Sequence, residues 1–576
     1  MKNIFKTIIV SAAAFAAVSC SGFLNRPAED NYNTGNFYLN DAQCEQGVNY
    51  LYNSPWYDFQ RGFIKIGEVM SGNLYWGDSP YLEFTTNGTD VDLVNMSYSL
   101  WSVNGHCNTV IKNILASEGP TQEGKNKTIG EALVWKAMAY FFMVRTFGEV
   151  PIVHNNSDLL AGEYNSIKKI QRADVYEYVI MNLEKAMELL PKKTANFKDY
   201  ERIDYYAAEA LLAKVYLTKA GLSGSLNESD LKKAASYAKD VIDNSGRTLL
   251  PSYEDVFRLS GFNKTGECLL SWLWASPVKD WTMQNTFQSD LGMVGFDEFA
   301  DVWGQWIGPS VDLMNAFGVA PTDDPASRRD LDIRRHATIM MAGDKYPYFW
   351  QDKGGFDYLK FLYDKDYGKG GPGAGPGVGT SSTGSNNVKH LYGDAYDHKT
   401  ALGVDAGRMS SQLPTHLLRL SDLYLIYAEA SLLTGDAGTA KTYVNYVRQR
   451  AGVSELSTVS FEDIWKERRL ELAIEGDRWY DYVRRGYYDM NACIAELKAQ
   501  KRSIFDGLDD VYKKFYEDGT WDASSVTYNP KNDNPNVTAS SFTLPFPTED
   551  VVYNKNMASD APAEHVDVRN EYKYNF

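Results

Sequence analysis

Apolar residues recur three and four apart through most of the first 250 residues and again after Pro414, which predicts helices. Between residues 251 and 413 that period fades, and Gly, Pro and Trp become frequent. The first block predicts a helix opening at Asp41 and further helices over 101–115, 129–147, 172–190, 204–220 and 231–242. Val110, Ile111 and Ile114 form an apolar face of the second, and Gly148 followed by Pro151 is a stop signal for the third. In the middle block, 253–257 reads as a turn, 267–274 as a strand and 309–317 as a short helix. Residues 67–92, with four Gly, and the Gly/Pro/Ser-rich stretch 368–387 read as loops. The latter has neither GKS nor GKT, so it is not a phosphate loop.

One stretch organises the second helical block. In FEDIWKERRLELAIEGDRWYDYVRRG, residues 461–486, Phe461, Trp465, Arg468, Leu472, Gly476, Trp479 and Val483 fall at helical spacing, which predicts one long helix with a buried stripe. Gly476 inside such a helix costs about 1 kcal/mol against Ala, so close approach of another backbone is expected there. A buried Arg468 requires an acidic partner. Asp477, Arg478, Asp481, Arg484 and Arg485 are spaced to pair at i+3 and i+4, so the stretch reads as a salt-bridged structural element without a catalytic role. Elsewhere, the pair ALLAKVYLTKAG…LKKAASYAKDVI echoes YLIYAEASLLTGD…AKTYVNYVRQRAG, each with small residues at packing positions. These are degenerate tetratricopeptide-like repeats, expected to form a right-handed helical stack.

The N-terminus carries a targeting segment. Lys2 and Lys6 precede an apolar run from Ile8 to Val18 that is too short to span a bilayer. Ala17-Val18-Ser19-Cys20 then reads as a lipobox, which makes residues 1–19 a signal peptide, Cys20 the lipidated residue and 20–40 a polar tether. Acylation with more than one chain gives stable anchoring. Cys44, Cys107, Cys268 and Cys493 show neither CxxC nor zinc spacing, leaving scattered thiols or disulfides as alternatives. A net charge of -17 disfavours nucleic acid as a partner.

With these features in place, several segments resemble the SusD/RagB family of nutrient-binding outer-membrane lipoproteins. They include ERRLELAIEGDRWYDYVRRG and EALVWKAMAYFFMVRTFGEVPIV, where Lys136 stands in place of the family's Arg. LPTHLLRLSDLYLIYAEASLLTG matches at Arg419, Leu420, Asp422, Tyr427, Ala428, Glu429 and Ala430, and SRRDLDIRRHATIMM resembles a family segment leading into a strand. Cys20, Phe23, Leu24 and Pro27 match near the start, and Leu544, Pro545, Pro547, Asn554 and Asn556 near the end. The resemblance implies a mainly α, SusD-like fold in which tetratricopeptide-like helix pairs pack against a loop-rich, partly β lobe. Residues 41–250 would form its N-terminal region and 251–576 its C-terminal region, the latter divided into a ligand lobe 251–413, helices 414–490 and an irregular tail 491–576. It also implies a non-catalytic, cell-surface, lipid-anchored protein that passes glycan to a SusC-like TonB-dependent transporter, with no cofactor.

Catalytic constellations are missing: HExxH and GxSxG are absent, and His106, His154, His336, His390, His398, His416 and His565 are isolated. Paired carboxylates for glycoside hydrolysis do not stand out among 75 acids. Asp323-Asp324 and Asp509-Asp510 read as loop residues, with calcium ligation as the lesser alternative and the metal left unknown. Binding has better support, because sugars present apolar C–H faces to flat rings and polar rims to Asn, Asp, Gln and Arg. Aromatics in loops supply such rings. The candidate ligand residues are Tyr75, Trp76, Asp78 and Tyr81 in one cluster and Trp303, Gln305 and Trp306 in another, with Trp281 and Trp350 as further rings. An oligosaccharide or polysaccharide is the expected ligand; a peptide on the same scaffold, or a surface hydrolase, is the alternative.

Overall fold

The computed structural model describes residues 37–160, 165–192, 202–259, 266–275, 280–297, 307–368, 380–404 and 411–576. The expected signal peptide, Cys20 and the expected tether as far as residue 36 lie outside the described residues. The chain is mainly helical. Its helices of eight or more residues are α1 (Asp41–Asn49), α2 (Val91–Ala116), α3 (Gln122–Phe147), α4 (Arg172–Leu189), α5 (Tyr205–Lys219), α6 (Glu228–Asn244), α7 (Ala395–Leu402), α8 (Leu420–Leu433), α9 (Ala437–Arg450), α10 (Phe461–Glu471), α11 (Arg478–Ala499) and α12 (Leu508–Asp518). Side-chain caps start several of them. Asp90 accepts from the N–H groups of Asp92 and Leu93 at α2, Thr121 caps α3, and Asp204 caps α5. Gly148 ends α3 at φ 76°, as the Gly–Pro signal predicts. Helices α2 to α6 pack each on the next, and α6 packs on α8, so the two echoing helix pairs lie side by side. No helix among the described residues is long and apolar enough to cross a membrane. Cys44, Cys107, Cys268 and Cys493 are buried free thiols.

The strands are short and form antiparallel two-stranded pairs: β1 (Leu74–Trp76) with β3 (Ile307–Pro309), β2 (Cys268–Trp272) with β8 (Thr415–Arg419), β4 (Ile339–Met341) with β7 (Ser385–Asn387), β5 (Lys345–Tyr346) with β6 (Phe356–Asp357), and β9 (Ile504–Asp506) with β10 (Thr527–Asn529). Three expectations are corrected here. Ser385–Asn387, read from composition as loop, is a buried strand. The stretch after Pro414 is strand β8 before it is helix. The tail expected to be irregular contains α12. The main core runs from Tyr38 to Val568, and a second core around Phe296, Trp350 and Phe361 fills the loop-rich region.

The predicted long helix over 461–486 is two helices. α10 opens on a reciprocal Ser460–Asp463 capping box and stops at Glu471, and α11 starts at Arg478. Between them, Ile474 (φ 63°) and Gly476 (φ 77°) take the left-handed conformation, which is uncommon for a β-branched residue. Side chains from distant segments hold this turn. The buried Glu68 carboxylate accepts from Ile474 N–H (3.0 Å) and Gly476 N–H (2.7 Å), and Lys389 Nζ donates to the Ala473 carbonyl (2.7 Å). Around it lies a buried charge network in which Arg419 pairs with Glu267 (2.9 Å), Glu471 (2.7 Å) and Glu475 (2.7 Å), and Arg334 with Glu467 (2.6 Å). Arg468 is buried and paired with Asp422 (2.7 Å) and Asp481 (3.1 Å), as its position on the stripe requires. The close backbone approach expected at Gly476 is also present, since a Cβ on Gly67 would strike the Gly476 carbonyl.

Two predictions follow from the turn. Gly476→Ala adds a Cβ that overlaps the Phe63 ring at a positive φ, and should lower stability by about 3 kcal/mol or more in urea unfolding. A wild-type midpoint would refute the reading of this turn. The second concerns acid. Burial pushes the Glu475 carboxyl up, but Arg419 and Lys389 more than offset it and hold it at about 2, and Glu471 is likewise depressed. Carboxyls held below their unfolded value of about 4.3 contribute stability above that pH and lose it below. The urea midpoint should therefore fall steeply from about pH 4.5 toward pH 2, and a flat profile there would contradict the network's role.

Candidate functional site

Segment 65–76 lies against the α10–α11 turn, and its end carries Trp76. Arg469 Nε donates to Asn73 Oδ1 (2.9 Å), Gln500 Nε2 to the Ser71 carbonyl (3.0 Å) and Arg502 Nη2 to the Val69 carbonyl (2.8 Å). Ser310 N–H, just after β3, donates to the Asn73 carbonyl (2.9 Å). The register pairs Tyr75 with Gly308 and Trp76 with Ile307. This ladder ties Tyr75 and Trp76 to the segment that begins at Ile307. Trp303, Gln305 and Trp306 themselves lie outside the described residues.

Of the other candidates, three are in the interior and leave the list of exposed rings. Tyr81 is fully buried with its hydroxyl on Asp90 Oδ1 (2.5 Å). Trp350 donates its indole N–H to the Phe296 carbonyl (2.9 Å), and its ring is enclosed by Phe356 and Phe361. Tyr75 is buried where the β1–β3 pair meets the core. Tyr81 and Trp350 face inward with their polar ends claimed by Asp90, nine residues on, and by Phe296, 54 residues back, which the composition of their own loops does not carry.

Three candidates reach solvent. Trp281 opens the short turn Trp281–Met283 and is 57% exposed. Trp76 is half-buried, with Lys65 Nζ 4.7 Å above its ring. Asp78 is exposed and paired with Lys531 (2.8 Å), whose hydrogen bond lowers its pKa. Contacts lead from each indole to the lining of one cleft. Trp281 meets the Tyr57 ring edge-on (6.4 Å), and Tyr57 lines a polar cleft of about 190 Å³ with Arg61, Asp92 and Asp290. Arg61 pairs with Asp290 (2.9 Å), and Asp92 with Lys65 (2.5 Å), the lysine on Trp76. Burial raises the Asp290 carboxyl to about 6 against the opposing pull of Arg61. Tyr98 is 66% exposed and continues the solvent face of α2 that Val91 and Asn95 begin.

Tyr57, Arg61, Lys65, Asp290 and Tyr98 were not singled out from sequence. The spacing of Val91, Asn95 and Tyr98 at i, i+4 and i+7 was the available signal for the last. The arrangement offers ring faces at both ends of a polar cleft, which suits binding of a molecule with apolar faces and hydroxyl rims. Its two innermost carboxylates are each tied to a cation. Among the described residues, no His/Cys/Asp/Glu group is placed to hold a metal ion. Asp509 instead accepts from Tyr363 and Thr380, and Asp323 from Ala320 N–H.

Fold and site together define a helical scaffold that presents an aromatic-edged polar cleft to solvent. The chain belongs to the SusD/RagB family: residues 273–562 match the SusD family, and residues 69–217 match the family described as starch-binding and associating with the outer membrane. A SusD-like protein of Bacteroides ovatus is 31% identical over 96% of this chain and 97% of its own. A crystal structure described as holding a xylogluco-oligosaccharide is 27% identical, with a TM-score of 0.74 over 91% of this chain and 99% of that one. A laminarin-binding SusD-like protein shares the fold at 20% identity, with a TM-score of 0.62 over 90% of this chain and 98% of its own.

Exposure of the rings is testable without a ligand. Trp281→Phe should lower the fraction of tryptophan fluorescence quenched by iodide, whereas Trp350→Phe should leave the quenched intensity unchanged and so raise that fraction slightly. The reverse pattern would overturn the placement of both.

Proposed function

We propose that this protein is a non-catalytic glycan-binding lipoprotein of the cell surface. It holds a neutral oligosaccharide or polysaccharide across Trp281 and Trp76. The observation that carries the reading is the exposed Trp281 ring set against Tyr57 at the lip of a polar cleft. Flat rings receive the C–H faces of pyranoses, while Arg61, Asp78 and Lys531 at the rim exchange hydrogen bonds with hydroxyls. The 27%-identical structure with a xylogluco-oligosaccharide supports a β-linked glucan backbone as the ligand class. The remaining candidate rings, Trp303 and Trp306, adjoin β3 in the chain and are proposed as further ligand contacts. Cys20, at the end of the lipobox, is the proposed acylation site, and a SusC-like TonB-dependent transporter, on family membership, the proposed recipient of the glycan.

Stacked rings each contribute on the order of 1–3 kcal/mol before the costs of binding, so two or three of them support dissociation constants from roughly millimolar to micromolar. Calorimetry against xylogluco-, cello- and laminari-oligosaccharides, with short peptides as a fourth panel, tests the reading. Binding of at least one glucan series in that range is expected, with Trp281→Ala weakening it tenfold or more and Trp76→Ala weakening it less, because Trp76 is half-buried. Affinity for peptides alone, release of sugar products, or wild-type affinity in Trp281→Ala would contradict it.

A further inference from the structure

The cleft between the two indoles has a feature that ring stacking does not use. Tyr57 lines it on the Trp281 side, and Asp92, paired with the Lys65 that sits on Trp76, lines it on the other. The cleft's lining is therefore in contact with a group that touches each ring. At about 190 Å³ the cleft is smaller than the roughly 300–1,000 Å³ of pockets that take a whole ligand, so it takes a part of one.

Its polar lining divides into two sets. Arg61, Asp290 and Thr286 are bonded to one another: Arg61 Nε donates to Asp290 Oδ1 (2.9 Å) and Thr286 Oγ1 to Asp290 Oδ2 (3.2 Å). Asp58 and Asn95 line the same cleft, and among the described residues neither side chain has a hydrogen-bond partner. Asp58 supplies two acceptor oxygens, and Asn95 supplies an acceptor and two donors. Such a set answers vicinal hydroxyls, each of which donates once and accepts. Asp58, Asp92 and Asp290 outnumber Arg61 and Lys65, so an acidic group is disfavoured there.

We infer that this cleft receives a neutral sugar branch of the glycan, held through its hydroxyls by Asp58 and Asn95, so that the protein selects branched chains over the bare backbone. The inference rests on the proposed glycan reading and deepens it. It goes beyond the ring platform, because it assigns the discrimination to two residues that touch no ring of the backbone.

The test is calorimetry with two probes sharing a β-1,4-glucan backbone, a xylogluco-oligosaccharide and cellohexaose, on the full-length mature chain. Wild type should bind the branched probe at least tenfold more tightly. Asp58→Ala and Asn95→Ala should each reduce the branched-to-unbranched affinity ratio by fivefold or more, whereas Trp281→Ala should weaken both probes together. A wild-type ratio near one, or a ratio unmoved in both cleft variants while Trp281→Ala still weakens binding, would overturn the branch assignment and leave the platform standing. Wild-type affinity for both probes in Trp281→Ala would overturn the platform reading itself. Circular dichroism and melting curves for each variant separate loss of binding from loss of folding.

Discussion

One buried carboxylate holds the turn on which the site depends. Glu68 sits in the core, among the described residues without a positive partner at hydrogen-bond distance, and spends its oxygens on the amides of Ile474 and Gly476 and on Asn73. A buried acid in that position costs free energy unless its lone pairs are answered, and here three donors answer them. Burial raises its pKa while those donors lower it. In return, two residues stay in a left-handed conformation that a continuous helix would have erased. Among the described residues, the surrounding network of Arg334, Arg419, Arg448, Arg450 and Lys389 against Glu267, Asp332, Glu467, Glu471 and Glu475 is balanced, with five cations and five anions. Buried pairs of this kind add little net stability over apolar packing, but losing one member leaves an uncompensated charge, so they specify a single arrangement.

That arrangement reaches the surface along the backbone. Glu68 lies three residues after Lys65 and eight before Trp76. The contacts that lock the turn therefore also set where the lysine and the indole emerge. Arg469 extends the lock by touching Asn73 on one strand's approach and Asp312 just beyond the other. Ring positions fixed before a ligand arrives reduce the ordering cost of binding, which suits a shallow site with few anchors.

Much of the scaffold was legible in the sequence, because helical periodicity and the Gly148–Pro151 stop are local signals, although the starts of α2 and α3, capped by Asp90 and Thr121, lie earlier than the periodicity indicated. The family segments added the identity of the fold. What local signals could not show was the interruption of 461–486. Leu472 and Gly476 happen to fall at helical spacing, and the force that breaks the helix there comes from Glu68, some 400 residues away. Burial of aromatic residues failed in the same way. Tyr81, Trp350 and Trp76 have similar neighbours in sequence, yet Asp90 draws in the first and Phe296 the second, while Lys65 props the third at the surface. Tyr57 escaped notice because it lies in a short 3₁₀ segment, Ser54–Phe59, between buried rings, with no pattern that marks it as exposed.

A crystal structure of the mature chain with a bound xylogluco-oligosaccharide tests most directly the claim that one pre-set surface, running from Trp281 to Trp76, receives the glycan. The account predicts a sugar ring stacked on Trp281 beside Tyr57, with the chain directed toward Trp76 and the backbone of residues 65–76 unmoved. A ligand seated instead in the apolar cavity lined by Trp101, Phe546 and Tyr553, with the Trp281 face bare, would contradict it.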